Sequence, residues 1–455
     1  MALGAALGAC SPILVTLGPL DAGSAAVDVA VAQDVARPPS DTGVAPAPRH
    51  AVDLLLEVDN SNSMLENQLN LVRAIPALLD ALLSPPRDAS GAPVAPAVTS
   101  LHLGVISQDL GTPGSTVPSC ANSDVGDDRL LNPIRYGQAL RAHEPWVPEP
   151  HGVRPARCLD DPNQYPSFLT FDAASTDPAV FRDDFVCNAY LRFGGCGIEQ
   201  QLEAAYRALV VHDARARPGN TSPNAGFVRD GAVLAIVLLT DEEDGSVRDC
   251  RFAEAGVACS DAISVFDSAT SRWASGDLNL RFYLYAPGSA QDPTWPLERY
   301  MDPAHPARGF TSLKPGHPED VVFAALAGVP MQLPTTSTGG TDWGALLGRN
   351  PDGSDGLVAM SAEGPISMRQ RNIDPACSTR VVPACRREGS TYNPAMPACD
   401  TTAQYYAWPS RRIANVARRF DETYGTGLVR SICRNDDTDA VRAIAGLVQR
   451  RLAGR

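Results

Sequence analysis

The segment from Ala51 to Val58 constrains the fold more than any other part of the sequence. It is almost entirely apolar and is interrupted only by Asp53 and Glu57. A strand buried on both faces has this composition, whereas a strand with one solvated face alternates apolar and polar residues. The segment therefore predicts a central strand of a sheet that is covered on both sides.

Polar residues follow this strand directly, in the order Asp59-Asn60-Ser61-Asn62-Ser63. Residues at i, i+2 and i+4 of an extended segment project to one side, so Asp59, Ser61 and Ser63 are expected to converge. One carboxylate and two hydroxyls suit a hard cation such as Mg²⁺, which usually keeps positions for water or an outside ligand. The alternative is a strand-to-helix turn in which Ser63 is the N-cap and Glu66 completes a capping box.

Two further apolar runs also end in acidic residues. Leu101 to Ser107 is followed by Gln108 and Asp109, and Ala232 to Thr240 is followed by Asp241. In an open α/β sheet, ligands bind outside the carboxyl ends of the strands. Asp59, Asp109 and Asp241 are therefore expected at one edge of the sheet.

The remaining pattern alternates between helix and strand. Further strands are predicted at Leu278 to Ala286 and Gly427 to Cys433, and helices at Ser63 to Leu82, Ile198 to Leu209, Glu319 to Leu326, Arg411 to Phe420 and Asp439 to Leu452. Such alternation predicts an α/β fold with a doubly wound, mostly parallel sheet flanked by helices.

The chain is expected to divide into three parts. Residues 1–10 are read as a signal-peptide remnant with a lipobox, and residues 11–50 as a disordered tether rich in Ala, Val, Pro and Asp. Residues 51–455 form one domain with irregular, Pro-rich insertions at about 111–184 and 329–407. Insertions of this length usually carry a function or elaborate the surface.

The eleven cysteines indicate an oxidising compartment, because the chain has no CxxC pair that would suggest a metal site. Without Cys10 an even ten remain, enough for five disulfides that would hold the two insertions. Spacing does not determine the connectivity, although Cys187 with Cys196 and Cys250 with Cys259 are the nearest local pairs.

Cys10 follows Leu7-Gly8-Ala9, as the lipidated cysteine of a bacterial lipobox does. Ser11 after it favours sorting to the outer membrane. The segment before Cys10 lacks Lys and Arg and is short for an apolar signal region, so a buried cysteine in a cytosolic chain is the alternative. No segment has the ~20 apolar residues that a membrane span needs, so attachment would be through the lipid only.

Charge and motifs exclude several classes of function. A net charge of −14 disfavours nucleic acid and an anionic membrane surface as partners. Lys314 is the only lysine, and it is not in a Walker-type loop. The histidines lack zinc spacing and no GxSxG nucleophile elbow occurs. No enzyme motif is present, and we expect a protein that is not an enzyme.

The residues that follow the apolar runs resemble those of the von Willebrand factor type A domain. Asp59 to Met64 is similar to the DxSxS motif of that family's metal-ion-dependent adhesion site, and Leu238-Leu239-Thr240-Asp241 looks like the strand whose terminal aspartate completes it. The block Gly194 to Leu202 lies where the family's glycine-rich turn supplies a metal-binding threonine. Only the first of these three motifs is specific.

The resemblance implies a cation, Mg²⁺ or else Mn²⁺ or Ca²⁺, that is held by Asp59, Ser61, Ser63 and Asp241. A carboxylate of a protein partner would take its open position. Gly195-Cys196-Gly197-Ile198 contains no hydroxyl, so Asp109 or a water is a possible replacement. A Cys187–Cys196 disulfide that stiffens the turn is a further possibility.

The main hypothesis is therefore a lipid-anchored binding or adhesion protein of the cell envelope. Two other hypotheses stay open: a structural envelope protein with a vestigial metal site, and a hydrolase with its active site in the insertions. Glu242, Glu243 and Asp244 are read as a solvated acidic loop, and the doublets Arg411-Arg412 and Arg418-Arg419 as a solvated helix face.

Overall fold

The computed structural model describes residues 50–112, 165–191, 195–248, 294–348 and 406–455, together with isolated residues between these segments. All of them belong to one compact unit, residues 43–455. The lipobox cysteine Cys10 and residues 11–49 of the predicted tether lie outside the described residues, as does most of the strand predicted at 278–286.

The centre of this unit is a six-stranded mixed sheet. Its strands are β1 (Ala51–Val58), β2 (Ser100–Ser107), β3 (Leu169–Asp172), β4 (Val233–Leu239), β5 (Val321–Ala327) and β8 (Gly427–Ser431). The spatial order is β3-β2-β1-β4-β5-β8, and all neighbours are parallel except the antiparallel pair of β2 with β3. The prediction that Ala51–Val58 is a central, fully buried strand is confirmed.

Helices flank the sheet. They are α1 (Leu65–Leu83), α2 (Pro178–Ala189), α3 (Gln201–Tyr206), α4 (Trp343–Leu347), α5 (Arg411–Tyr424) and α6 (Thr438–Ala453). Alternate residues of β1 enter different cores: Leu54 and Leu56 lie in the core that α1, α2 and α6 cover. Leu55 lies in the core that α3 and α5 cover. The predicted α/β fold with a mostly parallel, helix-flanked sheet is confirmed at this level.

Three segments differ from their predictions. Residues 321–326, predicted as part of a helix, lie in the strand β5, which is buried along its whole length between β4 and β8. The end of the first insertion is regular, because it contains β3 and α2. In the second insertion, Cys377–Ser378 (β6) pairs with Tyr406–Ala407 (β7) in a separate short ladder.

Disulfides connect both insertions to the domain. Cys120 pairs with Cys196, Cys158 with Cys187 and Cys377 with Cys433. The expected Cys187–Cys196 pair is therefore wrong. Cys187 lies in the last helical turn of α2, and Cys196 lies in the glycine-rich turn that follows. Each of them bonds to a cysteine of the first insertion instead. Cys250 and Cys259 lie outside the described residues.

The amino ends of the strands are held by a buried charge cluster around Asp53. Arg229 Nε donates to Asp53 Oδ1 at 2.7 Å, and Lys314 Nζ lies 3.7 Å from Asp53 Oδ2. Asp53, one of the two polar residues of β1, is thus paired with basic side chains. Within the described part of the chain, no helix is long and apolar enough to cross a membrane.

Candidate cation site

Strand register brings the predicted acidic residues to one edge of the sheet. Val58 at the end of β1 is aligned with Ser107 at the end of β2 and with Leu239 at the end of β4. The three segments that follow these strands therefore leave the sheet side by side, as parallel strands require.

Asp59 is completely buried and is fixed by hydrogen bonds to both carboxylate oxygens. The backbone N–H of Ser61 donates to Oδ1 at 2.8 Å, and the Thr240 hydroxyl donates to Oδ2 at 2.7 Å. Gln68 of α1 donates to the Asp59 carbonyl at 2.8 Å. Burial raises the pKa of Asp59 to about 6, although the hydrogen bonds from Ser61 and Thr240 lower it.

Ser61, Ser63 and Asp241 form a continuous polar chain. The two serine hydroxyl oxygens are 3.0 Å apart, and Ser63 Oγ donates to Asp241 Oδ1 at 3.2 Å. Ser61 is buried and Ser63 is half-buried, so the chain leads from the interior toward the surface. The structure thus brings the two segments of the sequence-predicted site together.

Ser63 is not the N-cap of the helix that follows. Residues Asn62–Met64 form a short 3₁₀ turn, Met64 takes the cap position of α1, and no side-chain oxygen caps the helix. The prediction of a Ser63 cap is therefore wrong. The hydroxyl instead donates to Asp241.

The glycine-rich turn packs directly against the first motif. Gly195 N donates to the Asn60 carbonyl at 2.9 Å, while Gln108 accepts from Asn60 N at 3.2 Å and donates to the Cys196 carbonyl at 3.1 Å. Asn60 is thus held between two segments, the loop that follows β2 and the glycine-rich turn. This network orients the residues on either side of Asn60, namely Asp59 and Ser61.

Asp109 stabilises the same turn. Cys196 N donates to its Oδ2 at 3.0 Å and Gly111 N donates to its Oδ1 at 2.9 Å. Each carboxylate oxygen therefore holds a backbone N–H. The sequence did not reveal the contact with the glycine-rich turn, because Cys196 is 87 residues away from Asp109 in the chain.

Glu199, which the sequence analysis overlooked, lies beside the predicted ligands. It follows the glycine-rich turn and is 1% exposed. Burial raises its pKa well above the usual value, and the negative charges of Glu242, Asp59 and Asp241 raise it further. The only sign of it in the sequence is its place shortly after the glycine-rich turn.

The acidic loop after Asp241 is buried, not solvated. Arg411 Nε donates to Glu243 Oε2 and Arg412 Nε donates to Asp244 Oδ2, both at 2.9 Å. Both arginines lie in the first turn of α5 and are buried themselves. The predictions of a solvated loop and of solvated Arg411 and Arg412 are therefore wrong, because Glu243 and Asp244 are buried against these two arginines. Even beside Arg411, burial raises the pKa of Glu243 to about 7.

The donor set fits a hard divalent cation. Carboxylate and hydroxyl oxygens are the ligands that Mg²⁺, Mn²⁺ and Ca²⁺ prefer. Among the residues that the structure describes, no group of three or more His, Cys, Asp or Glu side chains is arranged as a ready-made metal cluster. Any cation here would depend on the serine hydroxyls as well as on the carboxylates.

Comparison with known proteins gives no match. No protein-family model matches it, and no curated protein or solved structure matches it either. The function is therefore inferred from the geometry of the site.

Proposed function

We propose that the protein is an extracytoplasmic binding protein that captures a protein partner through a divalent cation at the carboxyl edge of its sheet. Asp59, Ser61, Ser63 and Asp241 would hold the cation. The fold would be the doubly wound one of the von Willebrand factor type A domain, which the same residues resemble.

One observation supports this proposal most strongly. Ser63 leaves the helix end and donates to Asp241, a residue 178 positions away in the chain. A serine in a simple strand-to-helix turn would instead satisfy an N–H of the first helical turn. The hydrogen bonds that link Ser61, Ser63 and Asp241 do not cap the helix. A cation bound between these oxygens would explain why they are brought together.

Each residue would contribute differently. Asp59 supplies negative charge, and its hydrogen bonds to Ser61 N and Thr240 Oγ1 fix its orientation. Ser61 and Ser63 supply neutral oxygens, so the carboxylates of Asp59 and Asp241 only balance the charge of the cation and add no excess negative charge that would repel an anionic ligand. Asp241 acts directly or through water. The half-buried Ser63 marks the accessible side, where a carboxylate of the partner would complete the shell.

The envelope location is part of the same proposal. Disulfides persist outside the cytoplasm, and three of them join described residues here. With the lipobox at Cys10, they support a lipid-anchored protein of the cell envelope, in the outer membrane by the identity of Ser11.

The test is calorimetric titration of Mg²⁺, Mn²⁺ and Ca²⁺ into the oxidised full chain. We expect saturable binding that is lost in Asp59→Asn and weakened in Ser63→Ala. Ser90→Ala is the matched control, because it removes a Ser–Asp hydrogen bond from the exposed turn between α1 and β2. Thermal unfolding of each variant reports on folding. A wild-type protein that binds none of the three cations would overturn the proposal and favour a vestigial site.

A further inference from the structure

Three arginines near the β8 edge of the sheet have no carboxylate partner. They are Arg430 in β8, Arg434 in the segment after β8, and Arg450 in α6. Within the described part of the chain none of the three forms an ion pair, whereas Arg451, the next residue of α6, binds Asp320. Carboxylates are abundant in a chain with a net charge of −14, so the lack of partners is a property of this place.

The side chain of Arg430 lies on the α6 side of the edge strand. Val429 belongs to the core that α3 and α5 cover, and Leu428 packs against the opposite core, which α6 covers. Successive side chains of a strand point to opposite faces, so Arg430 shares the face of Leu428. Arg430 is half-buried, and its Nη1 donates to the Val429 carbonyl at 2.8 Å. This half-buried positive charge thus bonds to a neutral oxygen and not to a carboxylate.

The other two guanidinium groups are also close to Arg430. Arg434 Nη2 donates to the Met331 carbonyl at 2.7 Å, which is again a neutral oxygen. Arg450 folds back over Gly446, where an added Cβ would lie 3.7 Å from Arg450 Nη1. Burial lowers the pKa of Arg430, and the positive charges of Arg434 and Arg450 lower it further. Three like charges are therefore gathered beside a half-buried one of their own number.

This arrangement costs free energy unless an anion is bound. Like charges repel, and the repulsion grows where a group is partly removed from water. The carboxyl of Asp437 interacts with Arg434, but neither of its oxygens accepts a hydrogen bond from a described residue. Burial raises the pKa of Asp437 to about 7, so it is mostly neutral below that pH and does not balance the arginines.

We infer that Arg430, Arg434 and Arg450 bind the phosphate group of a small, free anion. Guanidinium groups bind phosphate oxygens through pairs of parallel hydrogen bonds. A phosphate group carries about −1.5 to −2 charge at neutral pH, so it balances three arginines better than a single carboxylate does. The net charge of −14 disfavours an anionic membrane surface, and a small molecule therefore fits better than a phospholipid bilayer.

The first measurement is calorimetric titration of inorganic phosphate into the oxidised full chain at constant ionic strength. Divalent cations are removed beforehand, so the proposed cation site plays no part. We expect saturable binding that Arg430→Gln and Arg450→Gln weaken roughly tenfold or more, because each removes a charged hydrogen-bond donor. Arg442→Gln is the matched control: Arg442 is an exposed residue of the same helix and lies 3.9 Å from Asp439.

The stability of the phosphate-free protein separates a binding site from a structural cluster. Arg450 is exposed, so Arg450→Gln removes charge repulsion with little loss of packing. It should raise the midpoint of thermal unfolding, whereas Arg442→Gln should leave the midpoint unchanged. Added phosphate should raise the midpoint of the wild type and have much less effect on Arg430→Gln, whose own unfolding transition shows that it is folded.

Several outcomes would overturn the inference. The wild type could fail to bind phosphate at constant ionic strength, or Arg442→Gln could lose as much affinity as Arg430→Gln, which would indicate nonspecific attraction. A lower midpoint for Arg450→Gln would make the cluster structural. Sedimentation with vesicles that contain phosphatidic acid, without binding of free phosphate, would assign the arginines to a membrane surface. None of these results affects the cation titration, which is carried out without phosphate.

Discussion

At the residue scale, Gly195 is a position where a single methyl group should be costly. A Cβ there would lie 1.9 Å from Asn60 Oδ1, and Asn60 is completely buried, so it has little room to move. We expect Gly195→Ala to lower the free energy of unfolding by about 1–3 kcal/mol. Gly340→Ala is the control, because the nearest atom to its Cβ is Thr336 Oγ1 at 3.6 Å. Equal urea midpoints for the two variants would contradict this expectation.

The buried carboxyl of Asp437 should make the free energy of unfolding depend on pH. It is buried at the N-cap of α6, and neither carboxyl oxygen accepts a hydrogen bond from a described residue. Burial, and then the charge of Asp436, raises its pKa from 3.8 to about 7. Between these values the unfolded chain is ionised while the folded one keeps its proton, so stability is lost as the pH rises from 3.8 to about 7.

Asp437→Asn should remove this dependence. The free energy of unfolding of the wild type should fall relative to that of the variant from about pH 4 to about pH 7 and then run parallel to it. Urea unfolding of both proteins across this range is the measurement, and the difference between them cancels the contribution of other buried carboxyls. A difference that does not change with pH would refute the assignment.

At the scale of the elements, the first turn of α5 stabilises the acidic loop. Arg412 is fully buried and binds Asp244, which also accepts from Leu202 N at 3.0 Å. Removing one partner of a buried ion pair leaves the other charge uncompensated, so Arg412→Met should cost about 3–5 kcal/mol. Arg418→Met on the same helix breaks only an exposed pair with Glu422 and should cost at most about 0.5 kcal/mol.

A double variant tests the reason for this difference. Asp244→Asn combined with Arg412→Met removes the unpaired charge and should recover part of the stability that Arg412→Met loses. Chemical denaturation of the single and double variants gives the coupling free energy. If the double variant is no more stable than Arg412→Met, the loss arises from packing and not from charge.

Local pattern predicted most elements but not those whose environment is set by distant residues. The period and composition of residues 51–58 were sufficient for β1, and those of 438–453 for α6. The run Val321–Ala327 combines alanines, which favour helices, with Val and Phe, which favour strands. Pairing with β4 and β8 decides between them. The burial of the acidic loop likewise depends on arginines 168 residues away.

At the scale of the whole molecule, the Cys377–Cys433 disulfide ties the second insertion to the segment after β8. It spans 56 residues, for which the loop-closure estimate is about 4 kcal/mol. Cys377→Ser/Cys433→Ser should lose about this much stability to guanidinium unfolding under oxidising conditions. Under full reduction the variant and the wild type should unfold together. A persistent difference under reduction would show that packing around the cysteines is responsible.

The edge of the sheet where the site lies could be predicted, whereas the completed site could not. Polar residues after several parallel strands must meet at one edge, so Asp59 and Asp241 could be paired from the sequence alone. The positions of Thr240 and Glu199 and the contact between Asp109 and Cys196 depend on how loops of different length pack on each other. The sequence pattern does not show this packing. Cysteine pairing is also a long-range property, and proximity in the chain gave the wrong partner for Cys187.

The arginines that neutralise the acidic loop come from the far end of the chain, and this has a consequence for biogenesis. A ribosome makes residues 242–244 long before residues 411 and 412, which lie 168 residues later. The acidic loop therefore stays unneutralised until α5 has docked on it. The buried charges of this loop are therefore balanced only once a distant part of the chain has folded against it.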